Sequence, residues 1–490
     1  MQKKQSIAQN FIFNAFLNAT KFLFPLITYP YVARVLGPDG SGKVTFATSL
    51  IYYFIMFAEL GIPTYGIRKC AGVRDDKEKL SRTVHELVGI QAVTSVISYI
   101  ALFVCIFTVP RLQSDKLLYI VVSSGIFFHL CGMEWLYKGL EQYRYISVRS
   151  IVFKIISIIA MFLLVRSKSD YIIYGGITII ASSASYLCNL FQARKLIFFR
   201  NMGGYNFRQH LKPVMVFFAM ACAVTIYTHI DTLLLGFIQN DTVVGYYNAA
   251  IKAKTIMVSL AISLSVVLLP RASYYITNGE TDKFHAVSRK SINFSALFTS
   301  PFTLYFILFA GSTIDLLAGE LYGAAVTPMR LIMPSLLIIS LSYPIGMQML
   351  VPLKKEKYVL YSEISGAVIN VIVDLLLIPR MGAAGAAIGN VCAEAAVLLV
   401  QYLAIRSISP RLFSDVKWLK IGLALAAAAA ASFWVLLLDL GPFWKLAISA
   451  CCFFSAYGIV LLVTKEPMVK EVLGQVMKKL GGKSAKSNSR

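Results

Sequence analysis

Long uninterrupted apolar runs are the feature that most constrains the fold of this 490-residue chain. A run of about 20 apolar residues can cross the hydrocarbon core of a bilayer as one α-helix. Hydrophobic residues make up 57% of the chain and charged residues 14%, against about 25% charged residues in a soluble domain. The sequence therefore predicts an all-α polytopic membrane protein, and it excludes a soluble globule, a disordered chain and a β-barrel. We predict fourteen transmembrane helices, at residues 7–36, 44–66, 83–109, 116–137, 146–165, 171–196, 214–238, 243–269, 291–310, 325–350, 359–378, 384–405, 418–438 and 443–463.

Basic residues are distributed unevenly between the two sides of these runs. The N-terminus, every second loop and the C-terminus, counted with the adjoining helix turns, hold 35 of the 47 Lys and Arg residues, whereas the opposite loops with their adjoining turns hold eight. Cytoplasmic loops of membrane proteins are enriched in Lys and Arg. We therefore predict a multi-pass protein with both termini in the cytoplasm. The net charge of +23 is explained by this orientation and does not indicate a nucleic-acid partner.

A short pattern recurs where two apolar runs meet. Segments 34–47 and 233–250 each contain Leu-Gly at a helix end, then a polar turn, then a glycine that opens the next helix, and 378–390 is a weaker copy. The first two copies are six runs apart, which suggests two six-helix halves. We predict an N-terminal lobe at 1–199, a cytoplasmic linker at 200–213, a C-terminal lobe at 214–405, two extra helices at 406–464 and a basic amphipathic cytoplasmic tail at 465–490.

Six segments, spread from the first run to the twelfth, carry a family pattern in their order and spacing. They are Tyr29–Gly42, Phe57–Arg68, Glu134–Ser150, His229–Ala253, Arg271–Glu280 and Ile378–Gly389. Together these segments resemble the polysaccharide flippases of the multidrug/oligosaccharidyl-lipid/polysaccharide exporter superfamily. The resemblance implies two six-helix lobes around a central cavity, and transport by alternating access.

The resemblance also implies a substrate and a location. The substrate would be an oligosaccharide repeat unit on an undecaprenyl-diphosphate-type lipid, moved from the inner to the outer leaflet of the bacterial cytoplasmic membrane for surface-polysaccharide biosynthesis. The implied partners are this substrate, membrane lipid, a polysaccharide polymerase and glycosyltransferases, and no enzymatic activity is expected. Three alternatives stay open: a cation-coupled multidrug exporter, a flippase for the peptidoglycan lipid precursor, and a membrane glycosyl-polymerase, which the short outer loops disfavour.

Polar residues inside the apolar runs fall on helical stripes, and each costs free energy unless it faces protein or water. We predict that Lys21, Lys252 and Lys254 are cavity cations that bind the lipid diphosphate. Lys254 lies about 200° around its helix from Lys252, so of these three lysines it is the one least expected to face the cavity. The predicted polar residues of the cavity are Asn14, Asn18, Asn248 and Asn370. The alternative role for such amides is hydrogen bonding between helices.

Four carboxylates inside the runs are candidates for ion coupling, namely Asp231, Glu59, Asp374 and Glu394. A buried carboxylate readily takes up a proton or a cation. We therefore expect no cofactor, with a proton or sodium gradient as the candidate energy source. The alternative role of these carboxylates is a salt bridge to a membrane lysine.

Other motifs carry no chemistry. The segment GPDGSGKV at 37–44 lacks the hydroxyl residue that ends a phosphate-binding loop, so we interpret it as a turn between helices. The eight cysteines and five histidines have no metal-ligand spacing, and no metal site is expected.

Overall fold

The computed structural model describes residues 7–470, and it describes only the backbone of residues 7–23, 260, 261 and 263–270. The part described is helical and contains no β-strand. In chain order the helices are α1 (Ile7–Glu59), α2 (Ile62–Val73), α3 (Lys77–Thr108), α4 (Pro110–Gln113), α5 (Lys116–Gly132), α6 (Glu134–Gly139), α7 (Tyr143–Leu164), α8 (Tyr171–Ser182), α9 (Leu187–Leu196), α10 (Arg208–Ile238), α11 (Asp241–Thr277), α12 (Thr281–Leu308), α13 (Ala310–Leu317), α14 (Val326–Ile332), α15 (Pro334–Tyr343), α16 (Glu356–Met381), α17 (Ala383–Ile405), α18 (Trp418–Phe433) and α19 (Pro442–Val463). Short 3-10 segments lie at Lys168–Asp170, Ala184–Tyr186, Glu320–Ala325 and Trp434–Leu437, and a π-helix lies at Pro344–Leu350.

The first two predicted runs lie in one helical element. The break between them is confined to Gly37, whose φ of 67° lies in the left-handed region. Helical geometry resumes immediately afterwards, although Pro38 follows, because proline is tolerated in the first turn of a helix. The loop expected over residues 37–43 is therefore a single-residue kink.

Two further breaks create the short helices α2 and α6. Helix α1 ends at Glu59, and Leu60 and Gly61 follow with φ values of 47° and 75° before α2 begins. Met133 separates α5 from α6 with φ 41°. The second and fourth predicted runs thus extend past the ends of α1 and α5 into these short helices.

Membrane-spanning capacity follows from helix length and hydropathy. Ten helical stretches of the described chain are long and apolar enough to cross a bilayer, or twelve if two bent pairs each count as one span. The bent pairs, Lys168–Ser182 with Ala184–Leu196 and Glu320–Ile332 with Pro334–Leu350, each turn by 42°. The predicted all-α polytopic class is confirmed, while the count of fourteen crossings stays a prediction.

The described residues form two compact units. Unit 1 comprises the residues up to 248 together with 374–386, and unit 2 comprises 249–373 together with the residues from 387 onward. A buried cluster in unit 1 packs Ile62 of α2, Trp135 of α6 and Val214 of α10 together. A larger cluster in unit 2 joins α12, α18 and α19 through aromatic residues such as Phe284 and Phe453. The predicted lobe boundaries follow the sequence repeat, and they stay a prediction.

Candidate functional site

A polar cavity lies where α1, α2, α5 and α6 of unit 1 meet. It consists of two adjoining spaces of about 220 and 200 Å³, and both are lined by Glu59, Pro63, Thr64 and His129. The helices around this cavity are apolar and expose large hydrophobic side chains on their outer surfaces. A charged and hydroxylated cavity inside such a unit is where a polar ligand can be held away from lipid.

Glu59 and His129 form the pair shared by both spaces. His129 Nδ1 lies 2.8 Å from Glu59 Oε1, and Nε2 of the same ring lies 3.3 Å from the Ser183 hydroxyl. The Glu59 side chain is 24% exposed. The partner of Glu59 is therefore a histidine on α5 and not the membrane lysine that the salt-bridge alternative expects.

A second charged group lines the other end of the cavity. Glu134 Oε1 accepts a bond from Lys138 Nζ at 2.7 Å, and Glu134 Oε2 lies 3.3 Å from Arg149 Nη2. Arg149, which is 7% exposed, also donates to the side chain of Asn189. Glu134 is thus held by two cations, so the cavity offers both donors and acceptors to a ligand.

Local backbone features of two family segments build this cavity. At Gly66 on α2 an added Cβ would lie 2.7 Å from Cε3 of Trp135, so only glycine lets the indole pack against the helix. Gly61 combines a positive φ with a close approach to the α10 backbone at Phe218. Positive φ and close backbone approach are both conditions that favour glycine. These glycines hold α2 against α6 and α10, and they thereby position Glu59 and Thr64.

A pair of buried carboxylates forms a second polar cluster in unit 1. Asp231 on α10 and Asp374 on α16 are 6% and 0% exposed and lie close enough to interact. Tyr247 of α11 donates its hydroxyl to Asp231 Oδ2. Neither oxygen of Asp374 has a hydrogen-bond donor among the described residues. Two adjacent buried carboxylates repel each other unless a proton or a cation lies between them.

The three copies of the sequence pattern meet in unit 1, at a place we call the repeat junction (residues 37–43, 239–245 and 378–382). A Cβ at Gly42 would clash with the carbonyl of Asp241, and a Cβ at Gly245 would clash with the carbonyl of Pro38. Gln239 Nε2 donates to the Ile378 carbonyl at 2.9 Å. The glycine that opens the second helix of each main copy therefore permits close contact with the other copy.

Charged residues surround the repeat junction. Arg111 of α4 pairs with Asp241 and donates through Nε to the Gly236 carbonyl at 2.9 Å. Lys43 Nζ lies 3.5 Å from Asp115 Oδ1, which also accepts the Tyr171 hydroxyl at 2.7 Å. Burial raises the pKa of Asp241 above its ordinary value, and the bond from Arg111 opposes this rise. These contacts connect α4, the start of α8 and the end of α10 to the region of the kink in α1.

The two lysines of α11 have different environments. Lys254 is 9% exposed and donates to Asn390 Oδ1 of α17 at 2.8 Å. Lys252 is half-buried, and it points elsewhere because it lies two residues away on the same helix. Lys254 therefore has a polar partner within unit 2, and the prediction that Lys252 and Lys254 bind the lipid diphosphate stays a prediction.

The other predicted residues are dispersed. The side chains of Lys21, Asn14 and Asn18 lie outside the described residues. Asn248 is half-buried, Glu394 is 7% exposed, and Asn370 is buried with no partner for its amide within the described chain. The structure places Asp231 and Asp374 together and holds Glu59 in a separate cavity.

Sequence reasoning gave no site role to His129, Glu134, Lys138, Arg149, Arg111 or Asp241. Most of these residues lie at or near the ends of predicted runs, where charge is ordinarily solvated and indicates only orientation. Their partners are remote in sequence, as with the 70 residues between Glu59 and His129. The two family segments that contain Glu59 and Glu134 were the available signal.

Comparison with known families decides the membership of this chain. Residues 7–275, more than half of the sequence, match the family described as "Polysaccharide biosynthesis protein". The chain belongs to this family. Residues 217–376 also match the MatE family, which covers the second copy of the repeat. The predicted resemblance to polysaccharide flippases of the exporter superfamily is confirmed.

Two curated relatives of this polysaccharide biosynthesis protein align over most of its length. A protein of Escherichia coli (strain K12), provisionally named an O-antigen transporter, is 25% identical over 409 residues, which cover 82% of this chain and 98% of that protein. A Shigella dysenteriae protein of the same name is 24% identical over 411 residues, which cover 81% and 100%.

Solved structures share the fold. The lipid II flippase MurJ in an inward closed conformation matches with a TM-score of 0.73 over 94% of this chain and 100% of that one, at 15% identity. A multidrug resistance MATE family transporter of the MOP superfamily, in an inward-facing conformation, matches with a TM-score of 0.61 over 80% and 94%, at 14% identity. At such identities the likeness is evidence for the fold alone.

Proposed function

We propose that this protein is a flippase that moves a lipid-linked oligosaccharide repeat unit across the bacterial cytoplasmic membrane for surface-polysaccharide biosynthesis. The observation that carries the proposal is the family match over more than half the chain, supported by full-length relatives named for O-antigen transport. The protein acts as a transporter and not as an enzyme. Both termini lie in the cytoplasm, as the charge bias indicates.

The polar cavity of unit 1 suits a hydroxylated ligand. The cavity of about 220 Å³ contains both hydrogen-bond acceptors and donors. The acceptors are the carboxylates of Glu59 and Glu134, and the donors are the side chains of His129 and Lys138. Sugar hydroxyls both donate and accept hydrogen bonds, so a mixed set of charged groups binds them in several orientations. We assign this cavity to part of the glycan. We assign the diphosphate to Lys252, and Lys21 is the candidate for the same role in the first helix.

The carboxylate pair Asp231–Asp374 is our candidate for ion coupling. Its burial makes the doubly ionised state costly, so the pair would bind a proton or Na⁺ at one stage of the cycle and release it at another. Tyr247 fixes Asp231 by donating to Oδ2. Asp374 would then carry the exchangeable proton or contact the ion.

The repeat junction is our candidate for the outer closure of an alternating-access cycle. By the charge bias it lies on the side opposite the termini, and the paired glycines and the Arg111–Asp241 ion pair hold its segments together. Alternating access requires such a contact to open when substrate leaves outward.

Deletion of the gene tests the proposal in cells. Surface polysaccharide should be lost, and lipid-linked repeat units should accumulate on the inner leaflet. Units that reach the outer leaflet without being polymerised would instead indicate a polymerase. Rescue of a strain that lacks peptidoglycan-precursor transport, without any effect on surface polysaccharide, would favour the lipid-precursor alternative suggested by the MurJ-like fold.

A further inference from the structure

A basic cavity lies at one end of unit 2, apart from the clusters described above. It has a volume of about 440 Å³ and is bounded by the first turns of α12, the segment before α18 and the residues after α19. Its charged lining consists of Arg289, Lys290, Lys417 and Asp415. All three elements lie on the side of the chain that the charge bias assigns to the cytoplasm.

Hydrogen bonds fix the walls of this cavity. The Ser409 hydroxyl lies 2.5 Å from His285 Nδ1, and Lys420 Nζ donates to the Thr464 carbonyl at 2.7 Å. Beneath them, buried apolar residues such as Leu412 and Ile421 belong to the core of unit 2. The charged lining residues are therefore supported by the buried core of unit 2.

The lining favours an anion. The lining contains three basic side chains and one acidic side chain. The acidic residue, Asp415, accepts a hydrogen bond at Oδ2 from Arg289 Nε at 3.2 Å. Asn293 also lines the cavity and is 6% exposed. Its Nδ2 contacts the Met468 sulphur at 3.8 Å, and its Oδ1 has no partner in the described chain. A buried carbonyl oxygen without a donor is costly, and a hydroxyl group of a bound head group, next to its phosphate, would satisfy it.

The position of the cavity favours a lipid as the source of that anion. Lys417 is followed directly by Trp418, which is 46% exposed, and by Leu419, which is 78% exposed. A basic residue, an exposed tryptophan and an exposed leucine in succession are typical of the membrane interface. Basic pockets between transmembrane helices at the cytoplasmic face bind anionic head groups.

We propose that this cavity binds the phosphate group of a membrane lipid. Arg289 and Lys417 contact the phosphate oxygens, Lys290 adds charge, and the Asn293 amide bonds to the polar part of the head group. The last two helices, α18 and α19, then help to form a lipid site. The phosphate can belong to an anionic phospholipid or to a polyprenyl diphosphate, and the proposal covers both because the chemistry is the same.

Binding to the purified full chain tests this proposal without any transport assay. We expect native mass spectrometry of the delipidated protein to show phosphatidylglycerol bound about 10-fold more weakly by R289Q/K417Q than by the wild type, because charge-assisted hydrogen bonds are lost. The matched control is R406Q/R411Q, which removes two exposed arginines of the same connecting segment and should bind like the wild type. Phosphatidylcholine, in which a choline cation offsets the phosphate charge, should bind the wild type more weakly than phosphatidylglycerol and differ less among the three proteins.

Competition identifies the source of the phosphate. Displacement of phosphatidylglycerol by a polyprenyl diphosphate, in the wild type and not in R289Q/K417Q, would identify the carrier lipid as the ligand, and failure to displace it would identify the phospholipid. Equal displacement by inorganic phosphate, or equal lipid binding by R289Q/K417Q and the wild type, would overturn the proposal. If the double variant does not fold, K417E replaces it, because Lys417 is exposed and donates to the Ser414 carbonyl at the long distance of 3.4 Å.

Discussion

Asp374 is buried completely in a chain that crosses the membrane, and no donor among the described residues reaches its carboxylate. An ionised carboxylate in such a place costs several kcal/mol unless it is paired. Its neighbour Asp231 is also acidic and therefore cannot compensate it. The free energy of this arrangement is lowest when a proton or a cation is bound, which is the physical basis for assigning ion coupling to this pair.

Replacing Asp374 by Asn should uncouple transport from the ion gradient. Asn keeps the size of the side chain and removes the repulsion, so the protein should fold. We expect transport in vesicles to fall by about 10-fold or more and to lose its dependence on pH or Na⁺, whichever drives the wild type. The control Asp439→Asn, at an exposed loop position, should retain both rate and dependence. An unchanged ion dependence in Asp374→Asn would contradict the assignment.

Lys252→Gln and Lys254→Gln should differ in which property they change. Lys252→Gln removes a charge proposed to bind diphosphate. The lost charge-assisted hydrogen bond is worth about 1.5–3 kcal/mol, so transport should fall by roughly 10- to 100-fold. Lys254→Gln leaves Asn390 without its charged donor, so it should lower the melting temperature in detergent, at a cost of about 1–3 kcal/mol.

Transport and thermal unfolding, measured on matched amounts of both variants, separate the two roles. Lys252→Arg should keep part of the activity because the charge remains. A wild-type rate in Lys252→Gln would remove the reason for placing the diphosphate on α11.

Burial was predictable at these residues, but their partners were not. Helical spacing identified Asp374, Glu394 and Asn370 as polar residues on stripes, and the structure buries all three. Spacing within one helix contains no information about which residue of another helix lies opposite. The bonds from Lys254 to Asn390 and from Glu59 to His129 join residues 136 and 70 positions apart, so they required the tertiary structure.

The repeat junction depends on how closely helical elements approach each other. Gly245→Ala should separate its segments, because the new Cβ would clash with the Pro38 carbonyl. We expect a cysteine placed at Thr242, in a background without native cysteines, to react several-fold faster with a membrane-impermeant maleimide than in the parent. Gly422→Ala on α18, where no atom lies within 4 Å of the added Cβ, should leave the rate unchanged. Equal labelling rates in Gly245→Ala and Gly422→Ala would show that the repeat junction does not close the side of the protein opposite the termini.

The Arg111–Asp241 pair should make the same junction sensitive to external pH. Because burial raises the pKa of Asp241, this carboxyl takes up a proton at a higher pH than an exposed aspartate. The ion pair is present above this raised pKa and is lost as the pH falls through it. Measured against an exposed reference cysteine at the same pH, which corrects for the loss of reactive thiolate in acid, labelling of the Thr242→Cys protein should therefore increase on acidification.

Asp241→Asn is the decisive variant for this pH effect. Relative to the same reference cysteine, its labelling should be rapid at every pH, because it has no carboxyl at position 241 to titrate. Asp439→Asn, which changes an exposed carboxylate outside the repeat junction, should retain the pH dependence. The same pH dependence in Asp241→Asn as in the wild type would exclude this ion pair as its cause.

Helix breaks were predictable only where the sequence contains a residue that favours them. Gly37 was recognised as a turn, and its positive φ is the reason. Met133 also has a positive φ, but methionine is a good helix former and gave no signal, so α5 and α6 were predicted as one run. A pattern with a period of 3.6 residues also cannot distinguish a loop from the one-residue kink at Gly37.

At the scale of the whole molecule, hydropathy was sufficient for the fold class, and the orientation inferred from the charge bias stays a prediction. The all-α polytopic fold follows from the length of the apolar runs, because helices satisfy every backbone polar group inside a bilayer. The pairing of the repeat copies was suggested by sequence similarity, and the structure adds that the copies contact each other through Gly42 and Gly245.

Flipping by the purified protein in sealed vesicles tests whether the chain itself moves a lipid-linked oligosaccharide across a bilayer. A fluorescent oligosaccharide on an undecaprenyl diphosphate is incorporated, and an impermeant quencher measures the fraction exposed on the outer leaflet over time. We expect ion-gradient-dependent flipping by the wild type, about 10-fold or more slower flipping by Lys252→Gln, and none in protein-free vesicles. Flipping at the protein-free rate by folded wild-type protein under both a proton and a sodium gradient would contradict the proposed function.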